Sequence, residues 1–250
     1  MRALAIGFLL LAAEPSLGAE TYVGSDADAQ RTILGFKVPD AAIRKVLPQG
    51  WEPDVATSGP DQNINLRLTF IDRLTAQNAE GRTLDPLRLL TVTIPAKKTG
   101  SETRGSIAFR IYSASASGVP GVYGVAVQAG TTTERKVRID PLGTATVEES
   151  WDIRSTDGDI IQLQTQYVRG VLTPGKEEGR FYSLIRPDFY RIYRSEVLTD
   201  VVRGPATDRI QRIIFKASGP KLAPLFEGSE QLIGLTSVPW YTRRTYLGGS

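Results

Sequence analysis

Apolar and polar residues alternate with a period of two along much of the chain, and this pattern predicts β-strands. In Ile161–Tyr167 three glutamines share one face, while Ile161, Leu163 and Tyr167 share the other. Gln62–Leu74 begins with a similar alternation of apolar and polar positions. Further strand candidates are Leu87–Pro95, Ile107–Tyr112 and Ile210–Phe215. We therefore predict a mostly β protein.

Turn residues between the strands, and the small number of segments with helical periodicity, support this prediction. Asp157-Gly158-Asp159 is a good turn and would join Thr146–Arg154 to Asp159–Arg169 as a hairpin. Pro39–Leu47 is the best helix candidate, with the carboxylate of Asp40 near its N-terminus. Asp208–Ile214 has an ambiguous period, and a helix there is the alternative to a strand. Many strands without β-α-β alternation predict an antiparallel barrel or sandwich with few short helices.

The first residues have the three-part pattern of a secretory signal peptide. A short basic start is followed by the apolar run Ala3–Ala13 and by a polar, small-residue segment that ends at Ala19. The run is shorter than the roughly 20 residues that a membrane span requires. We predict a signal peptide over residues 1–19 and a single β-rich domain over 20–250. The mature protein would be periplasmic or secreted and would not be attached to a membrane.

The composition excludes much catalytic chemistry, because the 250 residues contain no histidine and no cysteine. Ser-His-Asp and Cys-His triads, thiolate nucleophiles, histidine proton shuttles and ordinary zinc or copper sites are thereby ruled out. Carboxylate acid–base chemistry, lysine imine chemistry, tyrosine, oxygen ligands for a metal, or simple binding remain. Asp157 and Asp159 flank a glycine, but a calcium site needs six or more oxygen ligands. We predict no metal and no cofactor.

The charge is mildly basic, with a formal net charge of +3, and points to a small acidic partner. Basic and acidic residues are interspersed, and the densest basic group, Arg135–Arg138, is flanked by Glu134 and Asp140. Together with export, this pattern argues against nucleic-acid binding. Scattered arginines are better suited to a small organic acid.

Several segments, in order and spacing, resemble the acetoacetate decarboxylase superfamily. They are Val46–Pro53 (VLPQGWEP), Phe70–Asp72, Leu90–Ala96, Ile107–Ser113 and Pro120–Ala129. The first is similar to the family's LP-x-G-hydrophobic-x-P element, and the last falls where the family has G-R-E-x-x-G-x-P-K-K. The resemblance covers roughly residues 37–167 and implies a cone-like antiparallel β-barrel that encloses a cavity and is often oligomeric.

The departures from this family bear directly on function. The family's lysine in the P-K-K segment forms an imine with a β-keto acid, and a neighbouring lysine and an apolar pocket depress its pKa. With Tyr123-Gly124 as the anchor, Val127 and Gln128 occupy the two lysine positions. The family's G-R-E arginine and glutamate are replaced by Pro120 and Gly121, and its strand glutamate has no counterpart near Leu90. The chain would then keep the fold without the decarboxylase chemistry.

Three other lysines are candidates for imine formation. Lys97 and Lys98 follow a proline but lead into a turn, and Lys216 ends an apolar strand. Solvated surface lysines are the preferred interpretation of all three.

The main hypothesis is an exported barrel that binds a small, acidic organic ligand without covalent chemistry. Tyr123 and Gln128 are the predicted ligand-binding residues, because they carry polar tips on the segment that corresponds to the family's active-site strand. No catalytic residue is assigned. Two alternatives stay open: a decarboxylase or lyase of the same fold that uses an unplaced lysine or carboxylates, and a structural or interaction domain without a ligand.

Overall fold

The computed structural model describes residues 20–248, most of which belong to one hydrogen-bonded sheet. The strands are β1 Thr21–Lys37, β2 Trp51–Pro53, β3 Leu66–Asn78, β4 Thr83–Leu84, β5 Leu87–Lys98, β6 Arg104–Ser113, β7 Ala126–Ile139, β8 Ala145–Ser155, β9 Ile160–Val168, β10 Thr173–Ser183, β11 Tyr190–Gly204, β12 Thr207–Asp208, β13 Ile210–Ser218 and β14 Gln231–Leu247. The helix α1 spans Asp40–Val46, and a short 3-10 helix spans Ala116–Gly118. The mostly β prediction is confirmed. The predicted signal peptide, residues 1–19, lies outside the described residues.

Seven of the strands form a closed ring of hydrogen-bonded neighbours. The order around the ring is β6–β10–β11–β14–β1–β3–β5, and a further pairing of β5 with β6 closes it. The pairing of β10 with β6 involves only Phe181–Ser183, and the ring encloses an interior. Outside the ring, β7 pairs with the end of β6 and continues into an antiparallel sheet of β7, β8, β9 and β13.

Two pairings are parallel, so the sheet is mixed where the sequence suggested only antiparallel neighbours. β6 is parallel to β7 through Ile111–Ser113 and to β10 through Ser106–Ala108. Parallel neighbours need a crossover connection of about a dozen residues. Residues 114–125, which include the 3-10 helix, form such a connection between β6 and β7.

The two faces of β1, β3 and β5 have different environments, and this difference positions the site. On the outer face, alternate residues pack in one hydrophobic cluster with the four-stranded sheet; they include Leu34, Phe36, Leu68, Phe70, Leu90 and Val92, against Trp151, Ile153, Ile161 and Leu163. The rings of Phe70 and Trp151 are 5.5 Å apart between centroids. Burial of each such side chain contributes about 1.5–3 kcal/mol. The other face of the same strands points into the ring.

Six predicted strand segments match observed strands. They correspond to β3, β5, β6, β8, β9 and β13, and the predicted helix corresponds to α1. The ambiguous segment near Asp208 is a strand from Ile210 onward. No helix within the described residues is long and apolar enough to cross a bilayer.

Candidate functional site

A cavity of about 540 Å³ lies inside the ring. All seven ring strands contribute to its wall, with Arg31, Thr69, Thr93, Ser106, Phe181, Tyr193 and Tyr241 each coming from a different strand. The volume falls within the range of small-molecule sites. The alternation of side chains along each strand explains this wall, because every second residue of a ring strand faces inward.

An ion pair between β1 and β14 adjoins the cavity, and its arginine lines the cavity wall. Asp26 and Arg243 are directly opposite each other in the strand register. Arg243 donates from Nε and Nη2 to Asp26 Oδ2, at 3.0 and 2.6 Å. Burial lowers the pKa of the Arg243 guanidinium, but Asp26, Tyr241 and Tyr193 together outweigh burial, and the pKa is raised. The guanidinium also lies over the ring of Tyr193, 4.2 Å from its centroid, so its position is fixed on two sides.

A second buried arginine lies beside this pair on β1. Arg31 is paired through Nε with Asp28, and its guanidinium carbon is 3.3 Å from the centroid of the Tyr241 ring. Its Nη2 is 3.9 Å from Asp26 Oδ1. Burial raises the pKa of Asp28 above its ordinary value of 3.8, although Arg31 acts in the opposite direction. Two guanidinium groups of the cavity wall, Arg31 and Arg243, are therefore held close together by the carboxylates of Asp28 and Asp26.

Tyrosine and serine hydroxyls extend this cluster along β11. The hydroxyls of Ser195 and Tyr241 are 2.7 Å apart, and those of Tyr123 and Tyr193 are 2.6 Å apart. Tyr123 is buried, and burial, reinforced by Tyr193, raises its pKa well above the ordinary value of 10.0. The Tyr123 phenol therefore remains protonated at neutral pH.

The two predicted ligand-binding residues occupy different places. Tyr123 packs in a small cluster with Ala108 and Val125 and reaches the cavity through one hydrogen bond, to Tyr193 of the cavity wall. Gln128 is exposed, its backbone carbonyl accepts a hydrogen bond from the Thr156 amide at 3.0 Å, and it is not part of the cavity wall. A role for either side chain in binding stays a prediction.

No lysine lines the cavity, and all the lysines of the chain are among the described residues. Val127 is half-buried and packs against the main hydrophobic cluster. Lys98 and Lys216 are exposed, and Lys97 is half-exposed and paired with Glu52 at 3.3 Å. Lys176, the lysine of a shallower depression that shares Arg243 and Ser195 with the cavity, is exposed and paired with Glu196. None of these lysines has the desolvated setting that imine chemistry requires.

Another buried carboxylate lies outside the cavity, between the ring and the four-stranded sheet. Glu149 of β8 is 4% exposed and accepts hydrogen bonds from Thr32 Oγ1 at 2.8 Å and Trp151 Nε1 at 2.5 Å. Among the described residues it forms no ion pair. Burial raises its pKa above the ordinary value of 4.5. No cluster of three or more acidic side chains placed to hold a metal ion occurs in residues 20–248.

The sequence did not single out Arg31, Asp26, Asp28 or Arg243. The available signal was the run Asp26-Ala-Asp28, which repeats a charge at a period of two just before Ile33–Phe36. Arg243 lies 217 positions from Asp26. No local pattern connects such distant positions, and only the pairing of β1 with β14 does.

Comparison with solved structures assigns the fold. The enduracididine biosynthesis enzyme MppR, complexed with the condensation product of pyruvate and imidazole 4-carboxaldehyde, aligns with a TM-score of 0.54 at 12% identity, covering 99% of this chain and 96% of that one. An acetoacetate decarboxylase-like enzyme from Sphingomonas wittichii RW1 aligns with a TM-score of 0.53 at 12% identity, covering 99% of both chains. Acetoacetate decarboxylase from Legionella pneumophila aligns with a TM-score of 0.52 at 11% identity, covering 99% of this chain and 98% of that chain.

At these identities the likeness concerns the fold alone, and the chain has the acetoacetate decarboxylase-like fold that the sequence resemblance suggested. No protein-family model and no curated protein sequence matches the chain.

Proposed function

We propose that this protein is exported and binds a small organic acid inside the ring without forming an imine. The observation that carries the proposal is a cavity of about 540 Å³ with Arg31 and Arg243 in its wall and no lysine. Guanidinium groups bind carboxylates through charge-assisted, geometrically defined hydrogen bonds. A purely structural domain would not need a cavity of this volume.

The arrangement around the arginines favours binding of an anion. Asp28 and Asp26 hold the two guanidinium groups in place, and Tyr241 and Tyr193 lie against their faces. A preorganised cation loses little conformational entropy when it binds a ligand.

Isothermal titration calorimetry of the purified protein with sodium pyruvate, acetoacetate and hexanoate tests the proposal. Hexan-1-ol is the uncharged control. We expect at least one acid to bind, the alcohol to bind more weakly, and Arg31→Gln to weaken acid binding about tenfold or more, since a charged hydrogen bond contributes about 1.5–3 kcal/mol. Arg44→Gln on the exposed surface of α1 is the matched control and should bind like the wild type.

Borohydride reduction in the presence of pyruvate or acetoacetate, followed by mass spectrometry, tests the absence of an imine. We expect no reduced adduct on any lysine. A stoichiometric adduct, or unchanged acid binding by a folded Arg31→Gln variant, would overturn the proposal. If Arg31→Gln does not unfold cooperatively, Arg31→Lys replaces it, because lysine keeps the charge and loses the bidentate geometry.

A decarboxylase or lyase that uses carboxylates is the second candidate, and Asp28 is the observation that favours it. A buried carboxyl with a raised pKa next to an arginine has the setting of a general acid. Under that function Asp28→Asn would abolish turnover of a bound acid while leaving its affinity within about threefold. Under the proposed binding function no acid is turned over by the wild type.

A further inference from the structure

The middle of the cavity is lined by hydroxyl groups that the protein itself does not use. Thr69 of β3, Thr93 of β5, Ser106 of β6 and Thr236 of β14 all face the cavity. Within residues 20–248 their side-chain hydroxyls make no hydrogen bond. Thr199, which also lines the cavity, differs in this respect, because its Oγ1 donates to the Thr173 carbonyl at 3.2 Å.

The strand register places two of these hydroxyls at one level of the ring. Thr69 is opposite Ile33, and Ile33 is opposite Thr236. Arg31 lies two residues from Ile33 in one direction, and Gly35, the partner of Arg67, lies two residues away in the other. Two residues along a strand span about 7 Å. Along the strand direction, the hydroxyls of Thr69 and Thr236 therefore lie between Arg31 and Arg67, with about 7 Å of strand to each.

Next to Arg67, the other arginine, lies a third hydroxyl of the cavity wall. Thr93 is directly opposite Arg67 in the pairing of β3 with β5. Arg67 is held by Asp61 at 2.7 Å. Aliphatic side chains of Ile33 and Val201 lie between the polar groups of the wall. The wall thus offers hydroxyls to hydrogen-bond a ligand and aliphatic patches to contact its carbon skeleton.

An unsubstituted carbon chain would not fit the chemistry of this wall. It would cover the hydroxyls without offering a partner, and each unsatisfied buried polar group opposes binding. A ligand that carries hydroxyls of its own would donate to and accept from Thr69, Thr93 and Thr236 while its carboxylate binds an arginine. We infer that the ligand is a polyhydroxylated carboxylic acid of the sugar-acid type, an inference that rests on the proposed function.

Gluconate and hexanoate provide a matched pair of probes, because they have the same number of carbons and differ in hydroxyl groups. In calorimetric titrations of the wild type we expect gluconate to bind at least about tenfold more tightly than hexanoate, as several hydrogen bonds of ordinary strength would give. Equal affinities, or tighter binding of hexanoate, would contradict the inference while leaving the proposed function intact. If neither acid binds, and the smaller keto acids do not bind either, the proposed function itself fails.

Isosteric variants locate the effect. Thr69→Val, Thr93→Val and Thr236→Val each remove one hydroxyl at nearly constant volume, and each should weaken gluconate binding about fivefold without weakening hexanoate binding. Thr132→Val, on the exposed face of β7, is the control. Urea unfolding of every variant confirms that it is folded. Loss of affinity for both acids to the same extent in the folded variants would assign the threonines to the shape of the cavity and overturn the inference.

Discussion

Two buried acidic sites of this protein differ in the partners of their carboxyl groups. Beside the cavity, the carboxylate of Asp26 is directly paired with Arg243, which lines the cavity wall. Between the ring and the four-stranded sheet, the hydrogen-bond donors to Glu149 among the described residues are the neutral groups of Thr32 and Trp151. The sites are separated by a single strand, since consecutive residues of β1, Arg31 and Thr32, point to opposite faces.

The difference shows which site is prepared for a charged ligand. A paired, hydrogen-bonded charge can stay ionised when it is buried, whereas an unpaired carboxylate favours its protonated form. The cavity therefore keeps fixed guanidinium groups that can attract an anion. The Glu149 site has no hydrogen-bonded cation among the described residues, joins two layers of the fold and is unsuited to binding an acid.

Removing the cation from the cavity pair should have the largest effect. Arg243→Met leaves Asp26 buried without its partner, and breaking such a pair costs about 3–5 kcal/mol. We expect the free energy of unfolding, measured by urea denaturation, to fall by that amount. Arg244→Met, one position away and exposed, is the control and should change stability by less than about 0.5 kcal/mol. A loss of under 1 kcal/mol in Arg243→Met would mean that Asp26 does not depend on this pairing.

Neutralising Glu149 should have a smaller effect of the opposite sign. Its native pKa is raised above 4.5, so the native state holds this proton more tightly than the unfolded chain does. The stability that Glu149 contributes is complete below pH 4.5 and is lost as the pH rises through the raised value. Glu149→Gln should therefore be more stable than the wild type at pH 8, by about 1–3 kcal/mol, as expected for a poorly satisfied buried group.

The difference between the two unfolding curves, recorded from pH 4 to pH 8, isolates this carboxyl from all others. We expect the difference to grow as the pH rises. A constant difference across the range would show that Glu149 titrates alike in the folded and unfolded states.

The hydrogen bond behind the cavity wall should matter less than either charged site. Tyr123→Phe removes the 2.6 Å contact with Tyr193 and should lower the free energy of unfolding by about 1 kcal/mol. Tyr22→Phe, at a partly exposed position on β1, is the matched control. A change in Tyr123→Phe no larger than in the control would place Tyr123 outside the hydrogen-bonded cluster.

A surface ion pair gives the smallest expected effect and serves as the baseline. Lys97 and Glu52 are 3.3 Å apart, and their side chains are 41% and 35% exposed. Lys97→Ala should change stability by less than about 1 kcal/mol and should leave acid binding unchanged. Altered acid binding would instead connect this lysine to the cavity.

Sequence patterns predicted strands where one face is apolar and the other is polar. β9 is such a strand, with Ile161, Leu163 and Tyr167 buried and its glutamines turned away from the core. The sequence pattern did not predict β1, because both faces of this strand are enclosed, one by the hydrophobic cluster and the other by the cavity. Its buried Asp26, Gln30 and Thr32 therefore interrupt the apolar period on which the prediction depends.

The candidate site was less accessible to sequence reasoning than the fold. The family resemblance directed attention to the segment around Tyr123, which lies one hydrogen bond behind the cavity wall. The arginines that face the cavity come from β1, β3 and β14. Nothing in their local sequences distinguishes them from the many arginines at the surface, because burial and partnership are properties of the assembled ring.

The sequence alone determined which side-chain chemistries this protein lacks and the class of its fold, because composition and local periodicity are written in the chain. Only the tertiary structure decided which charges are buried and which of them meet. Closing the ring brings residues more than two hundred positions apart, Asp26 and Arg243, into one ion pair. Because this pair is removed from water, its electrostatic interaction is stronger than the interaction of the same two charges in the unfolded chain.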